Sequence, residues 1–438
     1  MRLNDGRVSS KVTRCFRTAA VLLAGFGVLA PPAGAASLSA ASFELSATPK
    51  NKAFHQEPKA AWISNDQFVV AWAQLSPGSS EADPRWDLMV RRFGANGAPL
   101  SPEQRLTNSH GLFAFDKSLT VRRIDDSRYV VAWIDNGPEF GTGYDLYAQV
   151  FNVDGSASSL RFPINAPFSG NQVHLDILPG ASGQFIALYR SASSLTDGND
   201  IYAQRFGLDG APVGTSVRIN AVTTGFQSRP EGSCNASGQC LIAWSSSASQ
   251  DGSTAFEIKG QYLDVNLTPI GSEVLLAAAP AGESLNFPAV AIDSAQNTVV
   301  AWGSTPVAGG EVTGLRFSRF RPNRTLKNSG SITAANIVPD SLPYAVARAS
   351  GEIGFAWSAG NSANTRSQLF VRDFVSSGAV ASTVKVADVQ SATTTLTASS
   401  LAVSPTGLAV VLWTESPVAT SNIDTVFRGA VLQGFGTP

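Results

Sequence analysis

The chain has 438 residues, of which 43% are hydrophobic and only 15% are charged, and it contains 39 glycines and 24 prolines. Its formal net charge is −1, so it lacks the excess of basic residues that nucleic-acid-binding proteins carry, and we expect no nucleic-acid partner. No long stretch has apolar residues at helical spacing, which predicts a protein of strands and turns.

Residues 1–35 have the pattern of a secretory signal peptide. Basic residues precede an apolar stretch at 19–30, and Ala33-Gly34-Ala35 fits the cleavage motif of small residues. Its removal changes the net charge to about −5. No stretch reaches the roughly 18 apolar residues that a membrane helix needs. We therefore expect an exported monomer, periplasmic or extracellular, without a membrane span.

Seven apolar runs each end on one aromatic residue, which we call the anchor of its repeat. The anchors are 55 to 61 residues apart, at Trp72, Trp133, Tyr189, Trp244, Trp302, Trp357 and Trp413. After each anchor come a variable loop and a second strand-like run, clearest as D-I-Y-A-Q-R-F at residues 200–206. A turn and, in most repeats, a last strand follow. Four strands per repeat at this period are typical of β-propeller blades.

We predict an all-β fold, a seven-bladed β-propeller of four-stranded blades in a single domain over residues 36–438. The predicted blades cover residues 56–108, 109–165, 166–220, 221–277, 278–333, 334–387 and 388–438. The seventh repeat has no room for a fourth strand, whereas residues 42–47 resemble one and precede the first repeat. This N-terminal strand is predicted to complete the last blade and close the ring, which removes two open sheet edges. A linear solenoid is the alternative, but in a solenoid the N-terminal strand would not pair with the last repeat.

The pattern V-V-A-W, variable loop, D-I-Y-A-Q-R-F, G-x-P-x-G and V-x-I-N resembles a repeat of large secreted and surface proteins of bacteria, for which mostly no function has been assigned. The resemblance covers the whole chain after the signal peptide. It implies a propeller of this repeat type, and it brings no catalytic motif with it.

Two cysteines, Cys234 and Cys240, follow the signal peptide. They flank a turn sequence between two strand-like runs, which places them opposite each other across a hairpin. In an oxidising compartment this arrangement predicts a disulfide bond within one blade. A zinc site is the alternative, but a second pair of thiols or a nearby histidine is missing.

We expect functional residues where the repeats differ, because a single site needs only one copy of each group. The segments that lead into the first strands and the loops after the anchors meet on one face of a propeller. They supply the candidate ligand-binding residues His55, Glu57, Trp86, Asp116, Tyr144, His174, Arg229 and Asp340. Aromatic rings among polar groups suit sugars and peptides. A solvated funnel of ordinary surface residues is the alternative.

The sequence favours a binding or scaffold module for a glycan, a peptide or a cell-surface protein. A propeller enzyme, either a glycoside hydrolase or a polysaccharide lyase, is the alternative, since Glu57, Asp116 and Asp340 could supply paired carboxylates. No catalytic residue is assigned, because the chain has neither a G-x-S-x-G nor an H-E-x-x-H motif. We expect no cofactor and no metal. Asp197 and Asp200 suggest a calcium loop, but its oxygen ligands are not repeated in the other loops.

Overall fold

The computed structural model describes residues 36–39, 41–46, 55–76, 86–107, 119–135, 144–165, 170–181, 183–192, 199–308, 314–332, 344–360, 366–377, 379–391, 393–417 and 425–435. These ranges contain 29 β-strands and no helix, so none of them holds a helix that could cross a membrane. The strands form seven antiparallel sheets, and in each sheet the strands of a repeat are neighbours in chain order. The predicted seven-bladed propeller of four-stranded blades is confirmed.

Two short strands come first, β1 (Ser37–Leu38) and β2 (Phe43–Glu44). Blade 1 contains β3 (His55–Trp62), β4 (Gln67–Leu75), β5 (Trp86–Gly94) and β6 (Gln104–Arg105). Blade 2 contains β7 (Leu119–Arg123), β8 (Arg128–Asp135), β9 (Asp145–Asn152) and β10 (Phe162–Pro163). Blade 3 contains β11 (Asn171–Pro179), β12 (Gln184–Ala192), β13 (Asp200–Gly207) and β14 (Pro212–Arg218).

Blade 4 contains β15 (Phe226–Cys234), β16 (Cys240–Ser247), β17 (Phe256–Leu263) and β18 (Val274–Ala277). Blade 5 contains β19 (Glu283–Ile292), β20 (Thr298–Pro306), β21 (Gly314–Phe320) and β22 (Leu326–Ile332). Blade 6 contains β23 (Tyr344–Ala347), β24 (Ile353–Gly360), β25 (Ser367–Phe374) and β26 (Val380–Val389). Blade 7 contains β27 (Thr394–Val403), β28 (Ala409–Pro417) and β29 (Val426–Gln433).

The first strand of each blade is the innermost one. Each first strand contacts the first strands of both adjacent blades, and β27 of blade 7 contacts β3 of blade 1, so the ring is closed. The second strands carry the anchors, and all seven anchor side chains are at most 7% exposed. Both faces of these strands are apolar because the blades before and after cover them.

Ring closure is made by the N-terminal segment, in two short strands rather than one over residues 42–47, of which residue 47 lies outside the described part. Both β1 and β2 pair antiparallel with β29, the third strand of blade 7. Between them, the amide of Ser39 donates to the carbonyl of Val431 at 2.8 Å. Beyond β2, the amide of Leu45 donates to the carbonyl of Phe427 at 3.1 Å, and the Leu45 side chain is fully buried.

Phe43 in β2 packs in the same way as Phe162, which lies in the fourth strand of blade 2. A Cβ on Gly210, in a turn of blade 3, would lie 2.3 Å from the ring of Phe162. A Cβ on Gly97, in the corresponding turn of blade 1, would lie 2.4 Å from the ring of Phe43. Both glycines have a positive φ, 85° and 77°, which other residues rarely adopt. The N-terminal segment therefore packs against the next blade as an ordinary fourth strand does.

The cysteine hairpin also has the predicted geometry. Cys234 ends β15, Cys240 begins β16, and the two residues are paired in the register of these strands. The structure joins them by a disulfide bond, with their Cα atoms 4.0 Å apart. The bond closes the hairpin of blade 4 and links no second blade.

Candidate functional site

A partly open cavity of about 110 Å³ lies on the propeller axis, and the first strands of all seven blades line it. A volume of this size holds several water molecules or one small polar ligand. The position on the axis matters because it is the one place where seven copies of a repeat meet.

One level of the cavity wall is built from the same position in every blade. In each repeat, the residue 13 positions before the anchor pairs with the residue that precedes the anchor. We call these seven residues the axial ring: Lys59, Thr120, Asp176, Glu231, Ala289, Tyr344 and Ser400. All of them line the cavity, and no two are of the same type. The repeated fold thus places seven different side chains around one cavity.

Acidic side chains occupy one half of the axial ring. Arg122, which reaches the cavity from β7, places its Nη2 atom 3.2 Å from Asp176 and 2.8 Å from Glu231. The carboxylate of Asp176, and then that of Glu231, raises the pKa of Arg122 above its ordinary value although burial opposes this. Asp176 is 3% exposed and Glu231 is 17% exposed. One guanidinium therefore links blades 2, 3 and 4 through two carboxylates.

Lys59, Tyr344 and Ser400 occupy the other half. The Nζ atom of Lys59 donates to the Oη atom of Tyr344 at 3.0 Å and to the carbonyl of Ser399 at 3.4 Å. The same Nζ lies 4.5 Å from the centre of the Tyr344 ring, within cation–π range. Ser400 accepts a bond from the amide of Ala60 at 3.2 Å. This half brings together an ammonium group, a phenol and an aliphatic hydroxyl from blades 1, 6 and 7.

Three residues with positive φ precede the axial ring in consecutive blades. His174, Arg229 and Phe287 lie two positions before their ring residues, at β-bulges, with φ of 56°, 52° and 59°. The amide of Arg229 donates to Nδ1 of His174 at 3.4 Å, and the hydroxyl of Ser228 lies 3.1 Å from the same nitrogen. The Arg229 guanidinium lies 4.6 Å from the centre of the Phe287 ring. Non-glycine residues rarely adopt positive φ, and such positions cluster at functional sites.

The structure brings together two of the predicted ligand-binding residues, His174 and Arg229, and places them beside the axial cavity. His55 and Glu57 belong to β3, where the structure describes the backbone but not these side chains. The predicted residues that lie outside the described part of the chain are Asp116 and Asp340.

Trp86 and Tyr144 lie at the third strands of their blades, away from the axis. Trp86 is 8% exposed and packs in the core between blades 1 and 2 with Leu119 and Trp133. Tyr144 is partly buried against the core between blades 2 and 3, and its amide donates to the side chain of Asn171 at 3.3 Å. Neither side chain lines the cavity.

The axial ring itself was not among the predicted residues. Lys59, Asp176, Glu231 and Tyr344 lie inside strands, whereas the prediction concentrated on the segments before them. The signal that locates them is their constant distance from the anchor, combined with the change of residue type from repeat to repeat.

In blades 2 and 3, the carboxylate that opens the third strand is held by an asparagine that follows the fourth strand of the same blade. Asn220 donates to Asp200 at 2.6 Å and accepts from the amide of Ile201 at 2.7 Å. Asn165 donates to Asp145 at 2.9 Å, and burial raises the pKa of Asp145. The other residue of the suggested calcium loop, at position 197, is outside the described part. Within that part, no group of three or more His, Cys, Asp or Glu residues could hold a metal ion.

The architecture defines a seven-bladed β-propeller with a polar axial cavity, and solved structures share this fold. No protein-family model and no curated protein matches the sequence. An ulvan lyase of polysaccharide lyase family PL25 superposes with a TM-score of 0.55 over 88% of this chain and 95% of its own, at 12% identity. The polysaccharide lyase Uly1 has a TM-score of 0.54 over 90% and 98%, at 8% identity. A protein of unknown function from Dyadobacter fermentans has a TM-score of 0.51 over 91% and 99%, at 10% identity. At such identities the similarity shows the fold alone.

Proposed function

We propose that this protein is an exported propeller that binds a glycan at the axial ring. The observation that carries the proposal is the divergence of the ring: seven equivalent backbone positions hold seven different side chains around one cavity. A purely structural position would repeat one suitable side chain, as the anchors do. A binding site needs each group once, and it is expected where repetition is broken.

The chemistry of the cavity suits a sugar better than an apolar ligand. Carboxylates accept hydrogen bonds from sugar hydroxyls, while ammonium and hydroxyl groups donate to sugar oxygens. Phe287 and Tyr344 add aromatic surface for the C–H face of a sugar ring. The similar fold of two polysaccharide lyases supports a glycan ligand. Peptides and cell-surface proteins are the other partners that the sequence suggested.

The test is a screen of the mature protein against glycans and polysaccharides, with binding and product release measured in the same samples. Tyr344→Ala should lower the affinity for a bound glycan about tenfold or more, a loss of about 1.4 kcal/mol. Tyr144→Ala is the matched control, because Tyr144 lies outside the cavity. If Tyr144→Ala abolishes binding and Tyr344→Ala leaves it intact, the ligand binds at the outer loops. If no glycan binds, the proposal is wrong.

A polysaccharide lyase is the second candidate function, and the pair formed by Lys59 and Tyr344 favours it. A phenol can act as a general acid or base, and an ammonium group beside it could neutralise a developing negative charge on the substrate. Hydrolysis by Asp176 and Glu231 is disfavoured, because a glycosidase needs one protonated carboxyl group. Both carboxylates are paired with Arg122. Release of unsaturated uronides, lost in Tyr344→Phe, would establish the lyase; binding without any product would exclude it.

A further inference from the structure

We infer that the outer edge of blade 5 is a docking surface for an anionic polysaccharide, a chain that carries sulfate or carboxylate groups along its length. The surface consists of Arg321 and Arg324, in the turn between β21 and β22, and of Lys327 in β22, and we call it the basic edge. None of these residues lines the axial cavity. The inference therefore goes beyond the proposed function and does not depend on it.

The first step compares residues 321–327 with the equivalent residues of other blades, which follow the last residue of the same central strand. The equivalents at 152–158, 207–213 and 264–270 each contain one aspartate and no basic residue, and those at 94–100 and 375–381 contain no charge. Residues 321–327 contain three basic residues and no acidic one. The side chain that accepts an amide bond inside the turn is Asp154 in blade 2 and Asp209 in blade 3, but the neutral Asn323 in blade 5. Blade 5 therefore breaks the repeat in its charge, and function is expected where a repeat is broken.

The second step concerns Arg324, which has a backbone conformation that favours glycine. Its φ is 65°, and in blades 1 to 3 the equivalent residue is a glycine, as at Gly210 with a φ of 85°. Leu267, the equivalent in blade 4, is buried, whereas Arg324 is exposed. The guanidinium of Arg324 donates to the carbonyl of Ile270 at 3.0 Å and lies 4.4 Å from the centre of the Tyr262 ring. These partners are neutral, so they fix the guanidinium without cancelling its charge. Non-glycine residues in such conformations cluster at functional sites.

The third step is the lack of compensating charge in the described part of blades 4 to 6. Arg321, Arg324 and Lys327 are all exposed. Arg321 donates to the carbonyl of Leu326 at 2.7 Å, which is again a neutral partner. The described ion pairs of these blades join other residues: Lys259 with Glu273, Arg316 with Glu283, Arg348 with Glu352, and Arg366 and Lys385 with Asp388. Three positive charges thus share one hairpin, and no described carboxylate pairs with them.

The acidic residues whose side chains lie outside the described part belong to other places in the propeller. After residue 35 they are Glu57 in β3 of blade 1 and the residues at positions 81, 83, 116, 139, 197, 311, 340 and 424. The segments that contain these eight positions each precede a first or a third strand, whereas the basic edge follows a third strand. The two kinds of segment connect opposite ends of the blades. In blade 5 they are separated by the length of β21, seven residues or about 23 Å.

The fourth step identifies the partner. Sulfate and carboxylate groups match the guanidinium groups of Arg321 and Arg324, because a guanidinium can donate two parallel hydrogen bonds to such an anion. A flat anionic membrane laid across this end of the propeller would also meet Asp154, Asp209 and Asp264, in the equivalent turns of blades 2, 3 and 4, and these would repel it. A single polysaccharide chain is narrow enough to contact blade 5 alone.

The composition of β22 favours a sugar chain over an acidic peptide. A peptide that added a strand to this edge would need pockets for its side chains. However, β22 has the sequence L-K-N-S-G-S-I and is largely exposed. Its serine and asparagine side chains suit the hydroxyl groups of sugars. Charges at a sheet edge also discourage pairing between chains. That role would account for Lys327, but not for Arg321 and Arg324, which lie in the turn.

The experiment titrates the mature protein with dextran sulfate and with polygalacturonate in a calorimeter. We expect at least one of these polymers to bind, and about 0.5 M salt to weaken its binding about tenfold or more, because salt screens exposed charges. The double variant Arg321→Gln/Lys327→Gln should lose about tenfold in affinity, and Arg321→Lys/Lys327→Arg should keep the affinity of the parent. Arg105→Gln/Lys385→Gln is the control. It removes the same net charge from two comparably exposed residues of blades 1 and 6, and it should bind as the parent does.

Binding that the double variant weakens, and that Tyr344→Ala leaves unchanged, supports the basic edge whatever the axial ring binds. Unchanged binding in the double variant, an equal loss in the control, or no binding of either polymer overturns the inference. Polyglutamate or anionic lipid vesicles that bind more tightly than both polysaccharides would assign the edge to a peptide or a membrane and would also overturn it. Binding that is lost in Tyr344→Ala but kept in the double variant would place the polymer at the axial ring, which refutes this inference and supports the proposed function.

Discussion

Replacing Leu45 by alanine tests how the ring is closed. Leu45 is fully buried and packs in one cluster with residues of blade 1 such as Phe68 and Phe93 and residues of blade 7 such as Phe427. A buried Leu→Ala change costs about 2–5 kcal/mol, through lost transfer energy and the cavity that remains. We expect about 3 kcal/mol here, because the cluster joins two blades and cannot collapse without moving one of them.

The size of the effect on the melting temperature follows from the length of the chain. Unfolding about 400 residues at roughly 2 cal/mol/K per residue gives an entropy near 0.8 kcal/mol/K, so 3 kcal/mol lowers the melting temperature by about 4 °C. Leu38→Ala is the matched control from the same segment, since its side chain is 42% exposed, and it should leave the melting temperature within about 1 °C. Scanning calorimetry of the mature chain measures both.

Deletion of residues 37–48 extends the test. It removes both short strands and exposes the edge of β29, so it should destabilise the protein more than Leu45→Ala does and promote association of chains through the open edge. Size-exclusion chromatography detects that association. If the deleted protein stays monomeric and both Leu45→Ala and the deletion melt with the parent, the N-terminal segment does not hold the ring together.

Three further predictions concern stability. Arg122→Met leaves the carboxylates of the acidic half without their guanidinium. It should lower the unfolding free energy by about 2 kcal/mol in urea titrations, less than for a fully buried ion pair because Arg122 is partly exposed. An unchanged urea midpoint of unfolding would contradict the role assigned to Arg122. The exported native protein should show no free thiol, and replacing Cys234 and Cys240 by alanine should cost about 2 kcal/mol, since the loop between them is short; two reactive thiols would count against the bond. Hydrogen bonds from Arg366 above all hold the pKa of Asp388 well below its ordinary value, so this carboxylate stabilises the fold above about pH 4 and ceases to do so as the pH falls through its folded pKa. Asp388→Asn should therefore melt below the parent at pH 7 and approach it in acid, and a pH-independent difference would refute the assignment.

The repeat could be predicted from the sequence because every blade needs the same covered strand. Each anchor follows apolar residues of both parities, and this pattern recurs seven times at a nearly constant interval. The closure of the ring by two short strands, β1 and β2, instead of one could not be predicted in the same way. It depends on contacts from blade 1, where Arg91 donates to the carbonyl of Leu45 at 3.2 Å and Phe68 lies 5.8 Å from the ring of Phe43. The sequence of residues 37–46 alone does not indicate those contacts.

The axial ring escaped prediction for a different physical reason. In a regular strand, alternation shows which residues share a face. Five of the described first strands, β3, β11, β15, β19 and β27, contain a β-bulge immediately before the ring position, as between Val173 and Asp176 and between Ser228 and Glu231. A bulge inserts an extra residue and shifts the faces of the residues that follow it. Counting by twos from the start of the strand therefore gives no secure indication of which side chains face the axis.

Counting backward from the anchor avoids this difficulty, because no bulge intervenes between the ring position and its partner on the second strand. Blade packing constrains that partner, which is alanine or leucine in every repeat. The ring side chain is less constrained, because it also lines the cavity, although Ala289 and Tyr344 pack against the cores between blades as well. A closed ring then turns a constant offset in sequence into proximity in space: Lys59 and Tyr344 are 285 residues apart, and their polar atoms are 3.0 Å from each other. The position whose residue type differs in all seven repeats is the one where the seven side chains surround a single cavity.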